Sequence, residues 1–227
     1  MNKDTSKQLA YLLGLIALIF FLWDTQVLFP LKILVVFFHE SSHALATLLT
    51  GGHVEEMVVV AQQGGHVLSR GGSRIIILTA GYLGSLLWGL SIFMLAVGTQ
   101  WDRWLMGALG SALILITVFF VANTFAFVFG IGVGVVMLGS AKFLSNAVND
   151  IFLRIIGLTS MLYVPLDIYS DTIQRSSLRS DARMLAEVVG GPTLLWGILW
   201  LIISLALIIY CFRWSLSADA GHAPKRP

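Results

Sequence analysis

Long apolar runs separated by short polar breaks dominate this chain. They extend over Leu9 to Trp23, Val27 to Thr50, Arg74 to Val97, Trp104 to Ala141, Ile151 to about Ser176, and Thr193 to Phe212. A helix needs about 20 apolar residues to cross bilayer hydrocarbon at 1.5 Å per residue. The run from Trp104 to Ala141 is long enough for two crossings, with the break near Asn123. The pattern predicts an all-α, polytopic transmembrane helix bundle of about six to seven spans. It forms a single domain over 1–227, ending in a flexible tail at 214–227.

The breaks carry their own signals. Trp23-Asp24-Thr25-Gln26 reads as a polar turn in which Asp24 or Thr25 caps the second helix. Pro30 then falls in the first turn, where its missing donor does no harm, and Lys32 is expected to snorkel to the interface. Gly51-Gly52 ends that helix. From Gly51 to Ser73 a Val-rich run lies between glycine pairs, the pattern of a small β-hairpin at the membrane edge. It is too short to span, but an extended substrate can add to a free strand edge. Ala80-Gly81-Tyr82-Leu83-Gly84-Ser85 and Gly89 read as close helix packing, with Tyr82 able to line a site. Lys142 to Asp150 is a polar connection. Pro165 bends the following span, and Arg175, Arg179 and Arg183 mark a polar segment before Gly190-Gly191-Pro192.

Composition agrees: 57% of the 227 residues are hydrophobic and 11% charged, with a mean hydropathy of +0.88. The formal charge of +2 is small and scattered, so no nucleic-acid partner is implied. Cys211 is the single cysteine, which excludes an intrachain disulfide and a cysteine-based metal site. With the N-terminus inside, Lys3, Lys7, Arg70, Arg74, Arg175, Arg179 and Arg183 lie on the inner side against Arg103 and Lys142 outside, as the positive-inside rule asks. Arg213, Lys225 and Arg226 disagree, which keeps an even number of spans open.

The chemistry is concentrated in the second run, where His39-Glu40-Ser41-Ser42-His43 forms an H-E-x-x-H signature inside an apolar helix. Residues four apart lie one turn above each other, so His39 and His43 can offer two imidazoles to one Zn²⁺, with Glu40 beside them as a general base. Such spacing arises by chance on the order of once in a hundred chains of this length. Ionisable groups at membrane depth are functional by default, which weighs against accident. A zinc site needs a third protein ligand, and the candidates are Asp167, Asp171 and Asp181. The histidines centre about 12 Å from their helix end and Asp167 about 13 Å from its own, so depth favours Asp167. Asp171 is shallower and is assigned behind the ligands or at a gate. Asp181 can equally cap a helix over Ala182 to Val188. Asn123 either caps a tight turn or brings an amide near the catalytic centre. His53 and His66 read as exposed loop histidines.

These residues resemble the site-2 protease class of intramembrane zinc metallopeptidases, in particular its small relatives without a PDZ domain. The likeness rests on FHESSHALATLLTGGHVEEM at Phe38 to Met57, on Gly64-Gly65 and Gly71-Gly72, and on AGYLGS at Ala80 to Ser85. It extends to GLTSMLYVPLDIYSDTI and to Ser180-Asp181-Ala182. The resemblance implies that His39 and His43 bind zinc, that Glu40 is the acid/base, and that a transmembrane protein substrate is cut near the cytosolic side of the bilayer. The chain departs from that class at Ser42, where a glycine is usual, and at Pro165-Leu166-Asp167, which lacks the following glycine. Ser180-Asp181-Ala182 is the more recognisable mark of the small relatives, so the third ligand stays open between Asp167 and Asp181. The expected function is intramembrane endopeptidase. An inactive protein of the same fold that binds membrane helices is the first alternative. A metal or proton transporter is the second, though the chain shows no internal repeat.

Overall fold

The computed structural model describes residues 3–175 and 179–218. The order is α1 (Lys3–Phe21), α2 (Phe29–Leu49), β1 (His53–Val60), β2 (Gly64–Arg70), α3 (Arg74–Gly98), α4 (Asp102–Phe120), α5 (Thr124–Phe143), α6 (Asn146–Tyr169), a π-helical turn (Ser170–Gln174), α7 (Asp181–Val189) and α8 (Thr193–Ala218). The chain is a mostly helical, multi-pass membrane protein. Helices α3, α4, α5, α6 with its π-helical turn, and α8 are each long and apolar enough to cross a bilayer. Helix α2 has 21 residues, about 31 Å of rise. It lies along α3, with Phe38 stacked on Trp88 at 5.7 Å. With α2 counted, the described residues hold five to six candidate spans.

The apolar part of α1, Ser6–Phe21, is shorter than those five helices. Lys7 and Gln8, near its start, line a cavity with Val97, Arg154 and Ser215. Leu22 and Val27, just past its end, line another with Phe143, Leu144 and Phe152. Just past that end of α1, the Trp23 ring lies 6.1 Å from that of Tyr163 in α6. The start of α1 is thus on the same side as the end of α8. Lys7, Arg103, Lys142 and Arg213 at that end then face Arg70, Arg74, Arg175, Arg179 and Arg183 at the hairpin end, and charge no longer selects an inner side.

Small residues set the helix spacing. A Cβ on Gly89 of α3 would lie 2.8 Å from Ser160 Cβ and 3.0 Å from the Gly157 carbonyl of α6, and one on Gly110 of α4 would lie 2.8 Å from the Gly134 carbonyl of α5. Ser160 Oγ donates to the Ser85 carbonyl at 2.8 Å, satisfying a hydroxyl where water is absent. Gly51, at φ +82°, ends α2 in the left-handed region that a side chain resists. The hairpin after it is antiparallel, with Met57 opposite Val67 and Val59 opposite Gly65.

Several local expectations change. Neither Asp24 nor Thr25 caps α2, whose N-cap position is Leu28 with no side-chain bond. Thr25 instead donates to the Leu22 carbonyl at 2.6 Å. Lys32 does not snorkel; it is 8% exposed, with its Nζ over the Trp23 ring at 5.1 Å. The polar connection shrinks to Leu144 and Ser145. Ser145 caps α6, and the Asn149 amide donates to the Ser140 and Ser145 carbonyls at 3.1 and 2.9 Å. Helix α8 continues to Ala218, so the expected tail is helical as far as that. Ser176 and residues 219–227 lie outside the described residues.

Candidate metal centre

Helix α2 sets His39 and His43 one turn apart on its face toward α3 and α7. Helix α7 begins inside the bundle, with Asp181, Ala182 and Leu185 buried. Ser180 takes the cap position, its Oγ accepting from the Arg183 N–H at 3.4 Å. Asp181 is thereby relieved of capping and, 8% exposed, turns its carboxylate to the histidines. Its Oδ2 lies 3.0 Å from His39 Nε2 and 3.1 Å from His43 Nε2. Burial alone would push this carboxyl up, but the His43 and His39 imidazoles more than offset it and hold Asp181 below the usual carboxylate range.

The three donor atoms lie within 4.8 Å of one another. A fourth observation tests whether an ion fits between them. A Cβ built on Gly81 of α3 would fall 2.5 Å from both Nε2 atoms and 2.6 Å from Asp181 Oδ2. The donors thus converge on a small space that only a glycine at 81 leaves open, at a range close to zinc's ~2.0–2.2 Å bonds to N and O. Two imidazoles and a carboxylate, with space for a further ligand, are the donor set of a hydrolytic zinc site. His43 Nδ1 also lies 2.7 Å from the Ile77 carbonyl, the outer hydrogen bond that fixes a ligating imidazole.

Glu40 lies against the hairpin. It is 4% exposed, and a Cβ on Gly65 of β2 would come within 2.6 Å of its Oε1. Glu40 Oε2 has no hydrogen-bond partner among the described residues. The cleft in front of it, about 320 Å³, is lined by His39, Glu40, His43, Gly65, Asp167 and Asp181 among others.

The remaining predicted residues sort by place. Asp167 lines the same cleft but its nearest described cation is Arg175, at 4.0 Å. Asp171 lies a turn further, accepting from Arg175 Nη2 at 2.8 Å and from Tyr82 Oη at 2.5 Å. Tyr82 does line the cleft. Asn123 holds the N-cap position of α5. Its side chain makes no cap bond, but clasps β1 by accepting from the Val59 N–H at 3.3 Å and donating to its carbonyl at 2.8 Å. His53 and His66 are exposed, on strands rather than loops, and His66 Nε2 sits 3.8 Å from Glu56 Oε1. Depth reckoning ranked Asp167 ahead of Asp181 because it placed the whole Arg175–Arg183 segment outside the bundle, whereas Asp181 is buried beside both imidazoles. Gly81 and Gly65 were read as packing and turn residues, and no local signal in the sequence separates those roles from lining a site.

No curated protein and no solved structure matches the chain at a significant level. The model of one family does, over residues 12–211, nearly the whole length, and that family's peptidases imply a metal. The chain belongs to the Peptidase M50B-like family.

Proposed function

We propose that the protein is an intramembrane zinc metalloendopeptidase of the site-2 protease type, cutting peptide bonds in the transmembrane segments of protein substrates. The observation that carries this reading is the convergence of His39, His43 and Asp181 on the space before Gly81, with Glu40 alongside. His39 Nε2, His43 Nε2 and Asp181 Oδ2 would hold the zinc. When bound, the metal supplies Lewis-acid polarisation of the scissile carbonyl and a water that is acidic near neutral pH.

The chain's own residues do the rest. Glu40 takes the proton of the attacking water on its Oε2, unpartnered among the described residues, and returns it to the leaving amide nitrogen. The low-dielectric surroundings of α2 strengthen each of these interactions. A transmembrane helix must unwind to be cut, and an extended peptide needs backbone partners within the membrane. The hairpin has one edge to give. β1 is closed by the Met57–Val121 bridge and by Asn123, while β2 lies along the cleft with an edge that is open among the described residues. Strand addition to β2 brings the peptide past Gly65 and hence past Glu40. In this reading Asp167 and Asp171 shape the cleft behind the ligands. The test is cleavage of single-span reporter proteins co-reconstituted in vesicles. Wild type cuts within the span and Glu40→Gln does not; equal cutting by both defeats the assignment.

A further inference from the structure

The two metal-facing histidines are held differently. His43 has its outer nitrogen against the Ile77 carbonyl at 2.7 Å. His39 has no such acceptor at its Nδ1 among the described residues; instead, the Tyr82 ring meets its imidazole edge-on, at 5.1 Å between centroids and 83° between planes. An imidazole without an outer hydrogen bond turns freely about its side-chain bonds unless packing stops it, and ligand orientation governs metal affinity. Tyr82 is itself fixed. It is 1% exposed, packs on Trp200 of α8 at 5.1 Å, and donates its phenol proton to Asp171 Oδ2 at 2.5 Å.

The anchor for that phenol is the π-helical turn. Arg175 N–H reaches the Ser170 carbonyl at 2.7 Å, closing the wider turn. Its guanidinium donates to Ser170 Oγ at 3.0 Å and to Asp171 Oδ1 at 2.8 Å. Single π turns inside helices cluster at functional sites, where they re-aim a side chain. Here the turn directs Asp171 at Tyr82.

We propose that Tyr82 is a positioning residue of the metal centre: its ring orients the His39 imidazole, and Asp171 and Arg175 hold the ring in place through the phenol. This rests on the metal reading given above. It goes beyond that reading by assigning the Arg175–Asp171–Tyr82 chain, which binds no metal, to His39 rather than to the substrate.

The experiment measures zinc affinity by chelator competition, and the visible absorption of the cobalt-loaded protein, in detergent-purified full-length chains. Tyr82→Leu removes ring and phenol and is expected to loosen zinc about 10- to 100-fold and to alter the cobalt bands. Tyr82→Phe keeps the ring and loses the anchor, so a smaller loosening is expected. Asp171→Asn should match Tyr82→Phe, and combining the two should add nothing, because Asp171 acts through the phenol. Both are nearly isosteric, which keeps the proposal testable should Tyr82→Leu fold poorly. Wild-type affinity and unchanged cobalt bands in Tyr82→Phe and Asp171→Asn overturn the proposal, as does a full additive loss in the double variant. A wild-type chain that binds no metal would instead overturn the metal reading itself, and this inference with it.

Discussion

Glycine serves opposite ends in two regions of helix α3. At Gly89 a Cβ would strike Ser160 and the Gly157 carbonyl, so the missing side chain is filled by a neighbouring helix. Two turns away, at Gly81, a Cβ would strike His39 Nε2, His43 Nε2 and Asp181 Oδ2, so the missing side chain leaves a space ringed by donor atoms. The first absence closes a helix pair and the second opens a site. The same residue type in the same helix therefore says nothing about role until the atoms in front of it are known.

Methyl groups added at each place should separate the two uses. Gly81→Ala puts a carbon where the donors converge, and its zinc affinity should fall by orders of magnitude in chelator competition while the helical circular-dichroism signal persists. Full zinc retention would show that the space before Gly81 is not the metal position. Next in size, Glu40→Gln should keep zinc and lower cleavage of a reporter about a hundred- to ten-thousand-fold. Gly89→Ala should keep zinc as well, but overpack α3 against α6 and cost about 1–3 kcal/mol, read as a lower midpoint of thermal unfolding in detergent. Smallest of all, Gly132→Ala meets open space on α5. It should be neutral or stabilising by under about 1 kcal/mol, through helix propensity alone.

Much of the fold was legible because the membrane forces it. The apolar runs gave α3, α5 and the break near Asn123 within a few residues, since backbone polar groups in lipid must be satisfied inside a helix. The hairpin at His53–Arg70 was legible from its flanking glycines. Within the site, His39, Glu40 and His43 were legible because their spacing matches one helical turn. Asp181 was ranked behind Asp167 because the burial of the start of α7 is a tertiary event: Ser180 takes the cap that a reader of the sequence can as well assign to Asp181. Asn123 shows the same limit, since its partner Val59 lies 64 residues away.

The most direct test of the account is the zinc content of the purified chain beside Asp181→Asn and Asp167→Asn, measured after challenge with a chelator. Both substitutions remove a carboxylate charge from one cleft, but only Asp181 meets the two imidazoles. The account predicts a one-to-one zinc complex that survives in wild type and Asp167→Asn and is lost in Asp181→Asn. Zinc held by Asp181→Asn and lost by Asp167→Asn would contradict it.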